Sequence, residues 1–213
     1  MKRVIITGGT GGLGSAIAKC FKSENWEVIA LGRQDLDLLD ETALAAYFEK
    51  NPCDLLICAA GIIRDEPIKR MTEDHWDKVF SVNFRAATNC AIAALPGMVK
   101  RGIGHIIFIS SYAAERPTVG QAAYATAKAS LTGLTKDLAE CYGSKGIRVN
   151  AISPGFLETP MTDAVLPRRK EIVRDLHFLG QFNTAEIAAK FIGFLHEHLP
   201  FTSGQVFHLD SRP

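Results

Sequence analysis

Lys2-Arg-Val-Ile-Ile-Thr7, Gly8-Gly-Thr-Gly-Gly12-Leu-Gly14 and Ser15-Ala-Ile-Ala-Lys-Cys-Phe-Lys22 follow one another without a break. The first block is short and β-branched, which predicts a strand, and the third carries its apolar residues at helical spacing. Between them the glycines leave room for a tight turn and for close approach of backbone to a ligand. Strand, glycine turn and helix in this order bind phosphate, because the anion meets the partly positive helix N-terminus. Placed between a first strand and a first helix, such a loop points to a dinucleotide pyrophosphate and to an open α/β sheet. The spacing Gly8-x-x-x-Gly12-x-Gly14 differs from the commoner G-x-G-x-x-G arrangement.

Glu27 to Leu31 reads as a second strand, ending at Gly32-Arg33. In sheets of this kind the residue there meets the adenosine ribose. A carboxylate accepts from a free 2′-hydroxyl, whereas an arginine suits a 2′-phosphate through a charge-assisted contact. Arg33 therefore favours NADP(H), and Asp35 keeps NAD(H) open as the alternative. Only three residues separate Arg33 from Asp37-Leu-Leu-Asp40, and a parallel crossover needs about a dozen. Either Asp35 to Leu38 forms a minimal strand reached by a tight loop, or that edge of the sheet is cut back. Glu41 to Glu49 follows as a helix capped by Asp40, and Asp54 to Cys58 as a buried strand. It ends in Ala59-Ala60-Gly61, small residues that let backbone pass close to a ribose. Residues 72 to 101 read as long helical material opened by Thr72, with Glu73 and Asp74 in the first turn. Asn83 lies within it among Val79, Phe80, Val82 and Phe84, a setting that buries the amide and demands partners for it.

The second half repeats the alternation. A central strand is expected over 106 to 111, a helix over 122 to 143, a strand over Ile147 to Ile152 that ends at Ser153-Pro154-Gly155, an amphipathic helix over Thr184 to His196 and a last strand over Gln205 to Leu209. Phe156 to Leu179 is polar and charged, broken by Pro160 and Pro167, as a mobile flap over a strand-end cleft is. Its Arg168-Arg-Lys170 triplet reads as a solvated face, with steering of an acidic carrier as the lesser alternative. The small side chains of 122 to 143 permit close packing between like subunits. Strict alternation predicts a three-layer doubly wound parallel sheet, α/β in class and shortened around the second crossover, as a single domain over residues 1–213.

Thirteen residues after Ser111 stands Tyr124-Ala-Thr-Ala-Lys128. Positions four apart on a helix share a face, so Tyr124 and Lys128 point into one site. An ammonium within several Å favours the phenolate and is expected to bring the tyrosine pKa down from about 10. Tyr124 can then act as general acid or base. Ser111, at the C-terminal end of a central strand, supplies a hydroxyl for a substrate oxygen.

A net charge of +1 with 22% charged residues excludes a strongly basic nucleic-acid binder, and no apolar run reaches bilayer length, so neither nucleic acid nor membrane is an expected partner. The five cysteines are scattered, with no close Cys-x-x-Cys pair, and read as reduced thiols of a cytoplasmic protein. His196-Glu-His198 lacks a third ligand nearby, so no metal is expected and the pair reads as a solvated helix end. The first residues run straight into a strand, and no signal peptide is expected.

The motifs together resemble the classical short-chain dehydrogenase/reductase family. Thr7-Gly8-x-x-x-Gly12-x-Gly14, Asp37-Leu38, Ala59-Ala60-Gly61, Asn83, Ser111, Tyr124-x-x-x-Lys128, Asn150 and Pro154-Gly155 with Thr159 occur in the family's order along essentially the whole chain. Ala60-Gly-Ile-Ile-Arg-Asp65 and Ser153-Pro-Gly-Phe-Leu-Glu-Thr-Pro-Met161 look most like the 3-oxoacyl carrier-protein reductase branch. The resemblance implies a Rossmann fold and reduction of a ketone, a 3-oxoacyl group or similar small carbonyl, to a secondary alcohol, or the reverse. It implies that Tyr124 is the proton donor, that Ser111 holds the substrate oxygen, that Lys128 binds the nicotinamide ribose and that Asn83 fixes a water in the proton relay. Gly8, Thr10, Gly11, Gly12, Leu13 and Gly14 would cradle the pyrophosphate, with Arg33 at the adenosine ribose and Asp37 and Leu38 flanking the adenine. Ala59, Ala60 and Gly61 would line the ribose, and Pro154, Gly155, Leu157 and Thr159 the nicotinamide. The substrate is a small carbonyl or alcohol, with a carrier-linked acyl group among the candidates, and the assembly a homodimer or homotetramer.

Three positions depart from the family pattern. Cys58 and Ala59 replace an asparagine pair that anchors neighbouring strands, at an expected cost in stability and not in chemistry. Gly11 stands where many NADP-dependent members carry a basic residue, which leaves Arg33 as the one sequence argument for the phosphate. The shortened crossover is expected to open the adenosine pocket to solvent. Two other functions compete: a catalytically silent cofactor-sensing scaffold, opposed by the intact Asn83, Ser111, Tyr124 and Lys128 set, and a sugar-nucleotide reductase or epimerase, which generally carries a larger C-terminal substrate region.

Overall fold

In the computed structural model, which describes residues 1–24 and 26–213, six strands pair in parallel in the order β2-β1-β3-β4-β5-β6. They are β1 (Arg3–Thr7), β2 (Glu27–Leu31), β3 (Leu55–Cys58), β4 (Gly104–Ile109), β5 (Ile147–Ser153) and β6 (Val206–His208). Val4 and Ile6, Leu55 and Ile57, and Ile107 and Ile109 bury toward α1 (Gly12–Ser23) and α7 (Ala185–His198). The intervening Ile5, Leu56, Cys58, Ile106 and Phe108 bury toward α2 (Glu41–Lys50), α4 (Ala86–Arg101) and α5 (Ala122–Gly143). With both faces covered, the strands carry apolar side chains at successive positions instead of alternating with polar ones. This is the expected three-layer doubly wound sheet.

Side chains fix where several helices begin. Asp40 Oδ1 accepts from the Ala43 N–H at 2.9 Å at the start of α2, Thr72 Oγ1 from His75 at 3.2 Å at the start of α3 (Glu73–Phe80), and Thr184 Oγ1 from Ile187 at 3.2 Å at the start of α7. Each hydroxyl or carboxylate satisfies a first-turn donor that the helix itself cannot.

The second crossover is cut back, and the alternative of a minimal strand over Asp35 to Leu38 is not realised. Carboxylates take the backbone donors that a strand would need. Asp35 Oδ2 accepts from Gly32 N–H at 2.7 Å, and Asp37 Oδ1 from Leu39 N–H at 2.9 Å. Two side-chain-closed turns therefore replace a strand. Leu36 and Leu38 pack onto the layer formed by Leu44 and Phe48, and β2 remains the edge of the sheet.

The helical material of 72 to 101 is interrupted by a π-helical turn, Ser81–Arg85, with the buried Asn83 at its centre. Cys58, at the departure from the family pattern, points its thiol at the Ala87 carbonyl 3.7 Å away on α4. In the flap the prolines do not act as breakers. Pro160 opens a short 3₁₀ turn (Pro160–Thr162) and Pro167 is the first residue of α6 (Pro167–Asp175), because a first-turn position needs no N–H and favours the fixed proline φ. Nor is His196 a solvated helix end. It is half-buried, 3.3 Å from His105 through the two Nδ1 atoms, and packs edge-on against Trp26. His105 is fully buried and takes Asn150 Nδ2–H on Nε2 at 3.0 Å, so its own proton lies on Nδ1 and is donated to His196. Among the described residues no helix is long and apolar enough to cross a membrane.

Candidate active site

From β1 the chain moves outward to β2, while β3 takes the other side of β1. A crevice opens at such a reversal, beyond the carboxyl ends of the two inner strands. Gly8, at φ +65°, lies so near β3 that a Cβ on it would come within 2.7 Å of Ala60 N and Cα. Only glycine combines that conformation with that contact. Helix α1 then starts behind Gly11 with no side-chain cap, unlike α2, α3 and α7. Its first-turn amides, Leu13 and Gly14 among them, are donors suited to a pyrophosphate. Thr10 stands beside Gly32, and Thr159, from the loop after β5, packs against the Gly12 backbone. The loop residues Gly8 to Gly14, Ala59 to Gly61 and Thr159 thus meet around one groove.

At its adenosine end Arg33 is exposed, and among the described residues no side chain holds its guanidinium. Asp35 is turned back onto Gly32 and Asp37 onto Leu39. Leu38 is half-buried, and its carbonyl accepts from Asn89 Nδ2 of α4 at 3.4 Å. Asn89 was not apparent from the sequence, since only the bent-back crossover brings Leu38 to α4.

The other end holds the four polar residues expected to act together. Ser111 caps a 3₁₀ turn, Tyr112–Ala114, its Oγ accepting from Ala113 N–H at 3.2 Å. Its hydroxyl stands close enough to the Tyr124 phenol to act on its ionisation. Lys128 is buried on the next turn of α5, with Nζ 5.8 Å from the Tyr124 ring centroid and donating to the Ile109 carbonyl at 2.8 Å. Asn83 Nδ2 donates to Val79 O at 2.8 Å and Ile62 O at 2.9 Å, while its Oδ1 accepts from Ile62 N–H at 3.3 Å. That amide pins the turn after β3 against Gly61.

The electrostatics correct one expectation. Burial pushes the Tyr124 phenol up from its ordinary value; the Ser111 hydroxyl opposes this and the Asp65 carboxylate adds to it. Lys128 is not among the groups that act on the phenol; its ammonium, 5.8 Å from the ring centroid, donates to the Ile109 carbonyl. Burial brings Lys128 down to about 8, with the nearby Cys58 acting in the opposite sense. Asp65 lies in the quoted Ala60 to Asp65 stretch, but its effect on Tyr124 had no sequence signal.

On the nicotinamide side Pro154 and Leu157 are buried, and Asn183 Nδ2 donates to the Pro154 carbonyl at 2.9 Å. Gly155, at φ +84°, faces Asp210. A cleft of about 440 Å³ lies between Gly12, Thr159, Arg174 and the start of α7. It adjoins the phosphate loop and includes none of Ser111, Tyr124 or Lys128, so its size does not mark the reacting centre.

Residues 34–211 match the family described as Enoyl-(Acyl carrier protein) reductase. The chain is 33% identical to the 3-oxoacyl-acyl-carrier-protein reductase of Rickettsia typhi, across 98% of this chain and 95% of the relative. It is 36% identical to the acetoacetyl-CoA reductase of Allochromatium vinosum, across 90% and 89%. Among solved structures, a candidate NAD(P)-dependent gluconate 5-dehydrogenase of Beutenbergia cavernae with bound NADP superposes with a TM-score of 0.94 at 27% identity, covering 99% of this chain and 95% of that one. Matched nearly end to end in sequence and in fold, the chain belongs to the short-chain dehydrogenase/reductase family of NAD(P)-dependent oxidoreductases.

Proposed function

We propose that the protein is an NADPH-dependent reductase of 3-oxoacyl thioesters, yielding the secondary alcohol. The observation that carries this reading is the convergence of Ser111, Tyr124 and Lys128, with Lys128 Nζ 5.8 Å from the Tyr124 ring centroid and beside Gly61 at the Gly8–Ala60 crevice. A nicotinamide dinucleotide fits the residues present: α1 offers uncapped amides, and Gly8, Gly12 and Gly61 let Ala60, Thr159 and Asn83 close in around the loop where a side chain would not fit. The bound cofactor supplies the hydride that reaches the carbonyl carbon.

Tyr124, kept protonated at neutral pH by its burial, delivers its proton to the carbonyl oxygen and so completes the alcohol. Ser111 donates to that same oxygen and holds it beside the phenol. Lys128 Nζ, between the Ile109 carbonyl and Gly61, binds the ribose hydroxyls and returns a proton toward Tyr124. The Asn83 side chain is committed to Val79 and Ile62, so its part in a water relay falls to its main-chain carbonyl. Arg33 supports NADPH over NADH, because its guanidinium is available to a 2′-phosphate whereas the Asp35 carboxylate closes a turn.

Carrier-linked or coenzyme-linked acyl groups are the substrates suggested by the names of the relatives, and the exposed Arg168 and Arg169 of α6 suit an acidic carrier. On the same reading the chain is one cofactor-binding domain, 1–213, of a cytoplasmic homodimer or homotetramer assembled through α4 and α5. The test is acetoacetyl-CoA reduction followed by NADPH absorbance, with NADH in parallel. Tight NADPH binding without turnover of any 3-oxoacyl thioester or simple ketone would sink the proposal.

A further inference from the structure

Residues 208–213 tie three segments of the substrate side together. The Arg212 guanidinium carbon lies 3.6 Å from the centroid of the Tyr112 ring, and its Nε and Nη2 donate to Asp210 Oδ2 at 2.8 and 2.5 Å. Tyr112 O–H in turn donates to the Pro213 carbonyl at 3.1 Å, and His208 Nε2 lies 3.2 Å from Glu115 Oε1. The turn held in this way is the one whose Ala113 N–H fixes Ser111 Oγ.

The same short segment grips the flap. Asp210 occupies the space beside Gly155, where a Cβ would fall 2.6 Å from its own Cβ. Ser211 accepts from Phe178 N–H through its carbonyl at 3.0 Å and from Leu179 N–H through its hydroxyl at 3.3 Å. Beyond them His177, its side chain 0% exposed, donates Nδ1–H to Val173 O at 2.7 Å and turns an unpartnered Nε2 toward Asp210, 3.9 Å away.

The side chains of Arg212 and Asp210 are 9% and 4% exposed. A buried ion pair is weak evidence for stability, since desolvation offsets much of the attraction. What a planar, two-pronged guanidinium does provide is register, because it fixes the carboxylate and the stacked ring at once.

We propose that Arg212, held by Asp210, is a positioning residue for the reduction: it sets the Tyr112–Ala114 turn so that Ser111 Oγ stands beside Tyr124, and it links that turn to the flap. This rests on the reductase reading above. A displaced hydroxyl near the reacting carbonyl lowers turnover roughly 10- to 100-fold without touching the phosphate loop.

The experiment compares wild type, Arg212→Ala, Arg212→Lys and Tyr112→Leu, with acetoacetyl-CoA and NADPH. Arg212→Ala is expected to lose about 10-fold or more in kcat with NADPH affinity within about twofold. Added ethylguanidinium is expected to restore part of the rate in that variant and none in Tyr124→Phe. Trypsin is expected to cut at Arg168, Arg169 or Lys170 faster than in wild type. Lysine keeps the charge but not the planar stack and should fall between, as should Tyr112→Leu; these two carry the test if Arg212→Ala does not fold. Unchanged kcat and KM in the folded variants of an active enzyme would overturn this inference alone. Equal losses of kcat and NADPH affinity, with no rescue, would overturn it in favour of a merely structural role. A wild type that reduces no carbonyl compound overturns the reductase reading with it.

Discussion

Replacing Lys128 by methionine is expected to stabilise the protein while abolishing its activity. Lys128 is 4% exposed, and burial lowers its pKa from 10.5 to about 8. At about 1.4 kcal/mol per pH unit, that displacement is a penalty of ~3 kcal/mol on holding the charged form at neutral pH. Methionine removes the penalty at nearly the same volume but leaves the Ile109 carbonyl without its donor, which costs about 1–2 kcal/mol. The net gain is about 1–2 kcal/mol, or a Tm higher by roughly 2–8 °C for a chain of this size. The pH dependence has a definite sign. Unfolded lysine keeps its proton to about 10.5 and the folded residue only to about 8, so the unfolded state binds more protons between those values and wild-type stability rises with pH there. The variant lacks that rise, and its advantage should shrink between pH 7 and 9.5. Denaturant unfolding at both pH values, with circular dichroism, measures this. A variant less stable than wild type at pH 7, or an advantage equal at both, would refute the reasoning.

Tyr124→Phe is expected to lower acetoacetyl-CoA reduction by at least about two orders of magnitude while leaving NADPH affinity nearly intact; retained turnover in steady-state assays would sink the assignment of the proton donor. Arg33→Ala should weaken NADPH binding more than NADH binding in fluorescence titrations, and equal losses would make Arg33 a bystander. His105 is held well below the ordinary imidazole value and His196 is lowered to about 4, each chiefly by burial and then by Arg148. Unfolded imidazoles take up protons first, so wild-type stability should fall from pH 6.5 toward 4, by up to about 1.4 kcal/mol per pH unit for each group. His196→Phe, which keeps a ring against Trp26, should show a shallower fall in urea unfolding; superimposable profiles would count against the buried neutral pair.

What could be read from the sequence was local. The Gly8 to Gly14 loop is legible because strand, turn and helix are contiguous, and Tyr124 and Lys128 because helical spacing alone puts them on one face. The crossover stayed ambiguous because the outcome turns on whether Asp35 and Asp37 capture backbone N–H groups, a competition that composition does not decide. His196 was misread for a different reason: its partner, His105, is 91 residues away on β4. The Arg212–Tyr112 stack likewise joins distant segments, and no periodicity announces it. Pro160 and Pro167 were read as breaks although a proline is equally at home as the first residue of a helical turn.

The direction of the Tyr124 shift bears on the protonation state in which the phenol meets the substrate. The spacing of Tyr124 and Lys128 was legible, but the sign of the phenol's shift depends on how much water reaches it, which only the packed structure fixes. A phenol lowered toward neutrality would serve alcohol oxidation as readily as ketone reduction, since its basic form would be populated. Burial raises it instead, so near pH 7 Tyr124 carries a proton ready to be given and little phenolate ready to receive one. Lys128, brought down to about 8, remains mostly cationic there and can resupply that proton once the phenol has released it. Both displacements arise from the same desolvated pocket behind Ser111, and together they leave Tyr124 as the proton donor, and Lys128 as its source of protons, that reduction of a carbonyl requires.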